Sequence, residues 1–259
     1  MSFYFGDKRS PELEDAIMKN TLILIPMGTT EEHGRHLPVE TDAIIAKEIA
    51  DRVAQEIMNE IPILVTRPIY FGYSMKEMMR WPGTVRVKTR VVMDMMLDLI
   101  GSFIEMGFKK IVVMDCHGHH SGLLKTISRE LVDLYDIAIA ITSPSVFSKK
   151  IYQSIRKTDI GGSIHGGEWE TSLMLYLQPE LVNMDEATDV DHMKYHSEFI
   201  AGDNFSGEQK VTWSTWKLQR SQTGIFGDPT KASAETGKVC VEEIVNNYKK
   251  FLREFYDFS

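Results

Sequence analysis

Four short apolar runs, each followed by an amphipathic stretch, constrain this chain more than any other feature. TLILIPMG at 21–28 is continuous and apolar and is then broken by glycine. PILVTRPI (62–69), KKIVVMD (109–115) and IAIAITS (137–143) repeat the form. A strand wetted on one face alternates polar and apolar residues, so a run without alternation belongs to a strand covered on both faces. Helical periods lie between the runs. Ile44, Ile45, Ile49, Val53 and Ile57 predict a helix over 42–60. Similar spacing predicts helices over about 88–107, from Leu123 to Leu134, at 167–177 and over about 230–256. Strand–helix alternation of this kind predicts an α/β fold, a mainly parallel sheet flanked by helices on both faces.

The chain has 259 residues, 43% of them hydrophobic, enough for one substantial core, and residues 1–259 read as a single domain. Its least regular part, about 183–228, is polar and turn-rich and reads as an insertion, a lid or an oligomer contact. A net charge of -8 argues against nucleic-acid binding, which needs a basic face. The apolar segments are too short for a membrane span, and Asp94 and Asp98 interrupt them. No basic start with an apolar run marks a signal peptide. Cys116 and Cys240 stand far apart and read as reduced thiols in a cytoplasmic protein.

In open parallel sheets, ligands bind beyond the carboxyl ends of the strands. The residues just past the apolar runs therefore carry most weight. TTEEHGRHLPVETD (29–42) follows the first run, and DCHGHHSG (115–122) completes the third. SIHGGEWE (163–170) precedes a later helix. Six of the eight histidines fall in these three stretches. Clustered imidazoles and carboxylates without cysteine pairs suit a catalytic Zn, Mn or Fe(II) site. Two cations need a bridging carboxylate and about two further ligands each. Glu31, His33, Asp42, His117 and Glu170 form the candidate set, with His119 in reserve. Asp42 also fits as the cap of the helix that follows it. Cys116 beside His117 suggests a thiol nucleophile, but neighbours at a strand end point to opposite sides.

At these residues the chain resembles the creatininase family of metal-dependent amidohydrolases. PMGTTEEHGRHLPVETD, WPGTVRV (81–87), MDCHGHHSG and IHGGEWETSLML (164–175) carry the likeness, in the family's order, with GIFGDPTKASAETGK (224–238) as a weaker fifth match. The resemblance implies a three-layer α/β/α fold, two divalent metal ions and a homo-oligomer, a hexamer in the family's namesake. It places Glu31, His33, Asp42 and His117 on metal-ligand positions, with Asp42 bridging. The fifth ligand lies between Glu170 and His119. It gives His165 a place beside the substrate.

Departures from the family pattern bear on the substrate. Gly118 stands where the namesake has tyrosine, and Gly161 and Gly162 replace a tryptophan–aspartate pair. The surface for stacking a flat creatinine ring is thereby removed. The expected function is hydrolysis, by a metal-activated water, of a carbonyl in a small metabolite. A C–N bond of a cyclic amide or formamide comes first. The alternative is C–C hydrolysis of a diketo-inositol of the 3-dehydro-scyllo-inosose type, and a further one is a non-enzymatic metal-binding assembly protein. His165 and Glu168 are the candidate general acids. Arg80 is the candidate anchor for an anionic group, and Gly118 and His120 are expected on the pocket wall.

Overall fold

Successive side chains of a strand point to opposite faces of its sheet, so a strand apolar at every position feeds two cores. The computed structural model, which describes residues 2–192, 197–213 and 221–258, is built this way. The four predicted runs form β1 (Leu22–Met27), β2 (Ile63–Val65), β3 (Lys110–Asp115) and β4 (Ala138–Thr142). They pair in parallel in the order β2–β1–β3–β4. Leu22, Leu24, Ile63, Val65, Val112 and Met114 face one core, and Ile23, Ile25, Met27, Leu64, Ile111 and Val113 face the other.

Helices cover both faces. The first core is closed by α2 (Thr41–Ile57), α5 (Pro144–Ile155), α6 (Glu168–Leu177) and α7 (Ala234–Phe258). The second is closed by α3 (Thr89–Met106) and α4 (Ser121–Leu134), with α1 (Ser10–Met18) packed at its margin. The three-layer expectation is met. A small antiparallel pair, β5 (Ser163–His165) and β6 (Phe226–Gly227), stands apart from the main sheet.

The differences from the expected elements have physical causes. β2 is shorter than PILVTRPI, because Pro62 and Pro68 bracket it and offer no N–H to a ladder. β4 lies at the sheet edge and is only half-buried. α1 and α5 were not expected; α1 buries no residue fully and α5 only three, so neither carries a strong apolar stripe. Residues 183–228, expected to be irregular, hold one 3-10 turn at Met184–Glu186 and β6 among their described positions, while 193–196 and 214–220 lie outside the described residues. Among the described residues no helix is long and apolar enough to cross a membrane.

Gly28, directly after β1, lets the start of α2 press against the end of the strand. A Cβ there would fall 2.3 Å from the Ala43 backbone nitrogen. Gly28→Ala should therefore push α2 outward and lower stability by roughly 2 kcal/mol, the usual scale of overpacking. Thermal unfolding beside the parent protein measures this, and an unchanged Tm would contradict it.

Candidate metal centre

β1 and β3 are neighbours, with Met27 opposite Asp115, so the chain leaves the sheet at two adjacent points. Beyond β1 come Glu31 and His33, and beyond β3 come His117 and His119. α2 brings Asp42 in its first turn and α6 brings Glu170 in its first turn. Both carboxylates thus sit at the positive end of a helix dipole. β5 ends on His165. The residues come from distant segments, and the sheet rule for ligand sites brings them together.

Asp42 is the hub. Its Oδ2 accepts a hydrogen bond from His117 Nδ1 at 2.8 Å, and its Oδ1 lies 3.3 Å from His33 Nε2. A donor group stands on either side. Glu31, His117 and His119 each offer an atom within 4.8 Å of the others, and so do His33, His165 and Glu170. Hydrogen bonds to carbonyls set two of the rings. His33 Nδ1 donates to the Glu31 carbonyl at 2.9 Å, which turns its Nε2 toward Asp42. His165 Nε2 donates to the Glu32 carbonyl at 2.6 Å, which leaves Nδ1 facing Glu31 Oε2 at 3.8 Å.

The electrostatics follow from burial and crowding. Burial opposes charge on His33, but Asp42, Glu170 and Glu31 outweigh it and raise the ring to about 10. His117 is raised to about 9 in the same way, by Glu31 and Asp42 against burial. Burial raises Asp42 too, yet His33 and His117 hold it well below the usual carboxylate range. Glu31 and Glu170 are pushed up, chiefly by burial. His165 and His119 are pushed down by burial and by neighbouring imidazoles, His119 to about 3, so both are neutral at pH 7.

Glu31 Oε1, His33 Nε2 and His117 Nε2 are buried and have no hydrogen-bond partner among the described residues. Buried polar atoms without partners are costly. Here they lie with the carboxylates of Asp42 and Glu170 in the two donor groups, and the set of oxygens and imidazole nitrogens fits divalent cations of the Zn, Mn or Fe type.

The surrounding cavity is about 530 Å³. Glu31, Asp42, His117, Gly118, His119, His165 and Glu170 all line it. A Cβ on Gly118 would meet nothing within 4 Å, so this wall is open, as the missing aromatic implied. Cys116 also lines the cavity, but burial and then Asp42 push its thiol well up, which leaves it protonated and a poor nucleophile.

Three expected residues lie elsewhere. His120 is fully buried, with Nδ1 bonded to Asp115 Oδ1 at 2.9 Å and Nε2 accepting from the Tyr73 N–H at 3.0 Å. Both its nitrogens are used inside the fold, and it does not reach the cavity. Glu168 is buried behind the wall and bonded to Lys157 and Thr158. Arg80 is exposed, pairs with Glu77 at 2.7 Å and stacks beside Trp81. Conversely, the cavity wall includes Ser121, Ser143, Ser145, Asn204 and Gln209, which the sequence reading passed over. Ser143 and Ser145 follow β4, so the strand-end rule would have found them.

Asp42→Ala and His117→Ala should lose bound metal, as read by elemental analysis of the purified proteins; full metal content in both would refute the centre. The raised pKa values carry a sign. His33 and His117 hold protons at pH 7 in the metal-free protein, so a cation must expel them, and affinity should rise with pH. Calorimetry in buffers of different ionisation heat should show net proton release on metal binding, and none would contradict it.

A family model described as creatininase, creatinine amidohydrolase, matches residues 7–252. The chain is 25% identical over 266 residues to the 3-dehydro-scyllo-inosose hydrolase of Thermotoga maritima, covering 98% of this chain and 84% of the relative. It is 27% identical over 268 residues to the creatinine amidohydrolase of Pseudomonas putida, covering 98% and 97%. With the mycofactocin precursor peptide peptidase of Mycolicibacterium smegmatis it shares 28% over 228 residues, covering 87% and 81%. A solved creatininase described with manganese superposes with a TM-score of 0.78 at 24% identity, covering 98% of each chain. With most of its length matched in sequence and in fold, the chain belongs to the creatininase family of hydrolytic enzymes.

Proposed function

We propose that this protein is a metal-dependent hydrolase that cleaves a C–N bond, of a cyclic amide or formamide, in a small metabolite. The observation that carries this reading is Asp42, with one oxygen toward each of two donor groups inside an open cavity. Glu31, His117 and His119 would hold one divalent cation, and His33 and Glu170 the other, with Asp42 shared. On this reading Glu170 and His119 serve different cations, which is supported by their belonging to different donor groups. Bound there, the cations supply Lewis acidity to water and to a carbonyl oxygen.

The chain's own residues do the rest. His165 is neutral, its Nε2 is fixed by the Glu32 carbonyl and its Nδ1 faces the centre, so it can accept a proton from water and return it to the leaving group. Met78, Ile164, Trp169 and Phe226 supply apolar wall around that step. Glu168, spent on hydrogen bonds behind the wall, takes no part as an acid.

A second reading has its own support. Among the described residues the cavity is lined by no lysine or arginine, so a phosphorylated formamide would meet no cationic side chain. Hydroxyls and amides of Ser121, Ser143, Ser145, Asn204 and Gln209 suit a neutral, hydroxylated ring instead. C–C hydrolysis of a cyclic polyol diketone, the substrate type in the name of the Thermotoga maritima relative, fits this wall.

Metal-loaded protein assayed against cyclic amides, formamides and keto-inositols separates the two readings by which bond breaks. Metal bound with every class inert would overturn both. Cys116→Ser should keep its turnover; complete loss with metal retained would return the thiol to the mechanism.

A further inference from the structure

Glu168 is fully buried, and the chemistry proposed above leaves it unused. Its carboxylate accepts from Lys157 N at 2.9 Å, from Thr158 N at 2.8 Å and from Thr158 Oγ1 at 2.6 Å. It is the first residue of α6, in the same turn as Glu170. Thr158 is gripped in turn by Arg156. Nε of that arginine donates to the Thr158 carbonyl at 2.9 Å and Nη2 donates to Thr158 Oγ1 at 3.3 Å.

The same guanidinium reaches the cavity wall. Nη2 donates to Asp203 Oδ2 at 2.7 Å and Nη1 to Ser206 Oγ at 2.9 Å. Asp203, whose side chain is fully buried, also accepts from Gly161 N and Phe205 N, both at 2.9 Å. An apolar route runs beside this polar one. Phe205 is fully buried against Trp169, with ring centroids 5.4 Å apart, and Trp169 stands between Glu168 and Glu170 in the chain. Ala201, Asp203 and Asn204 line the cavity. Two routes therefore tie the wall at 201–206 to the turn that carries Glu170.

We infer that Arg156, Thr158 and Glu168 are positioning residues that tie the cavity wall at 201–206 to Glu170, so that the wall and the His33–Glu170 side of the metal centre are set as one unit. The inference rests on the reading that Glu170 holds a cation. A planar fork serving five acceptors at fixed angles, the Asp159 carbonyl at 2.7 Å being the fifth, is a task for arginine that lysine does not replace. Partners behind a ligand commonly change metal affinity by 10- to 100-fold.

The test uses Mn(II) alone as probe, counted by equilibrium dialysis and electron spin resonance, with amide hydrogen exchange as the second readout. Thr158→Val removes the hydroxyl between Arg156 and Glu168 at constant shape, and Thr158→Ser restores it. Thr158→Val and Arg156→Lys should keep one Mn(II) at parent affinity and weaken the other about tenfold or more. Exchange at 201–206 and 166–170 should quicken together, and Thr158→Ser should match the parent. Parent-like Mn(II) binding in Thr158→Val, equal weakening of both cations, or a Ser variant that behaves as the Val variant would each overturn the inference. A parent protein that binds fewer than two Mn(II) would instead overturn the metal reading, and the paired exchange rates would still decide whether wall and turn are tied.

Discussion

The site depends on a buried carboxylate shared between two imidazoles. Asp42 could not stay ionised in the interior without compensation, because removing a charge from water is costly. His33 and His117 supply that compensation, and the start of α2 adds its dipole. Much of the surrounding architecture serves this contact. Gly28 allows α2 to approach the end of β1, the pairing of β1 with β3 sets Glu31 and His117 side by side, and α6 presents Glu170 from the far side.

The centre is built from neighbours of unlike character. His33 and His117 are drawn toward the cationic form by carboxylates, whereas His165 and His119, close by, are kept neutral by burial and by the other rings. One cluster thus holds imidazoles that share charge with carboxylates and an imidazole able to pick up a proton. The division comes from which ring faces which carboxylate, a matter of one or two residues along each loop.

Much of this was legible in the sequence, for identifiable reasons. β1 and β3 announce themselves because a strand covered on both faces has no room for polar residues. Glu31, His33, Asp42, His117 and Glu170 could be singled out because polar side chains clustered at strand ends and helix starts are where a parallel sheet binds ligands. His120 and Glu168 could not be told from their neighbours. One step along the backbone turns a side chain from the cavity to its back, and only the fold shows that His120 is bonded on both nitrogens. Arg156 was silent for another reason: its partner Asp203 lies 47 residues away in an irregular segment that no periodicity marks.

The donor atoms are spread from Glu31 to Glu170, over more than half the chain. No fragment short of that span presents both groups, so any cation held there binds the native state and not its parts. Ligand binding restricted to the native state adds to folding free energy, by about 2.7 kcal/mol per cation at a free concentration one hundred times its dissociation constant. The centre would then act as a thermodynamic latch, and metal supply would govern how long the chain withstands proteolysis as well as how fast it turns over.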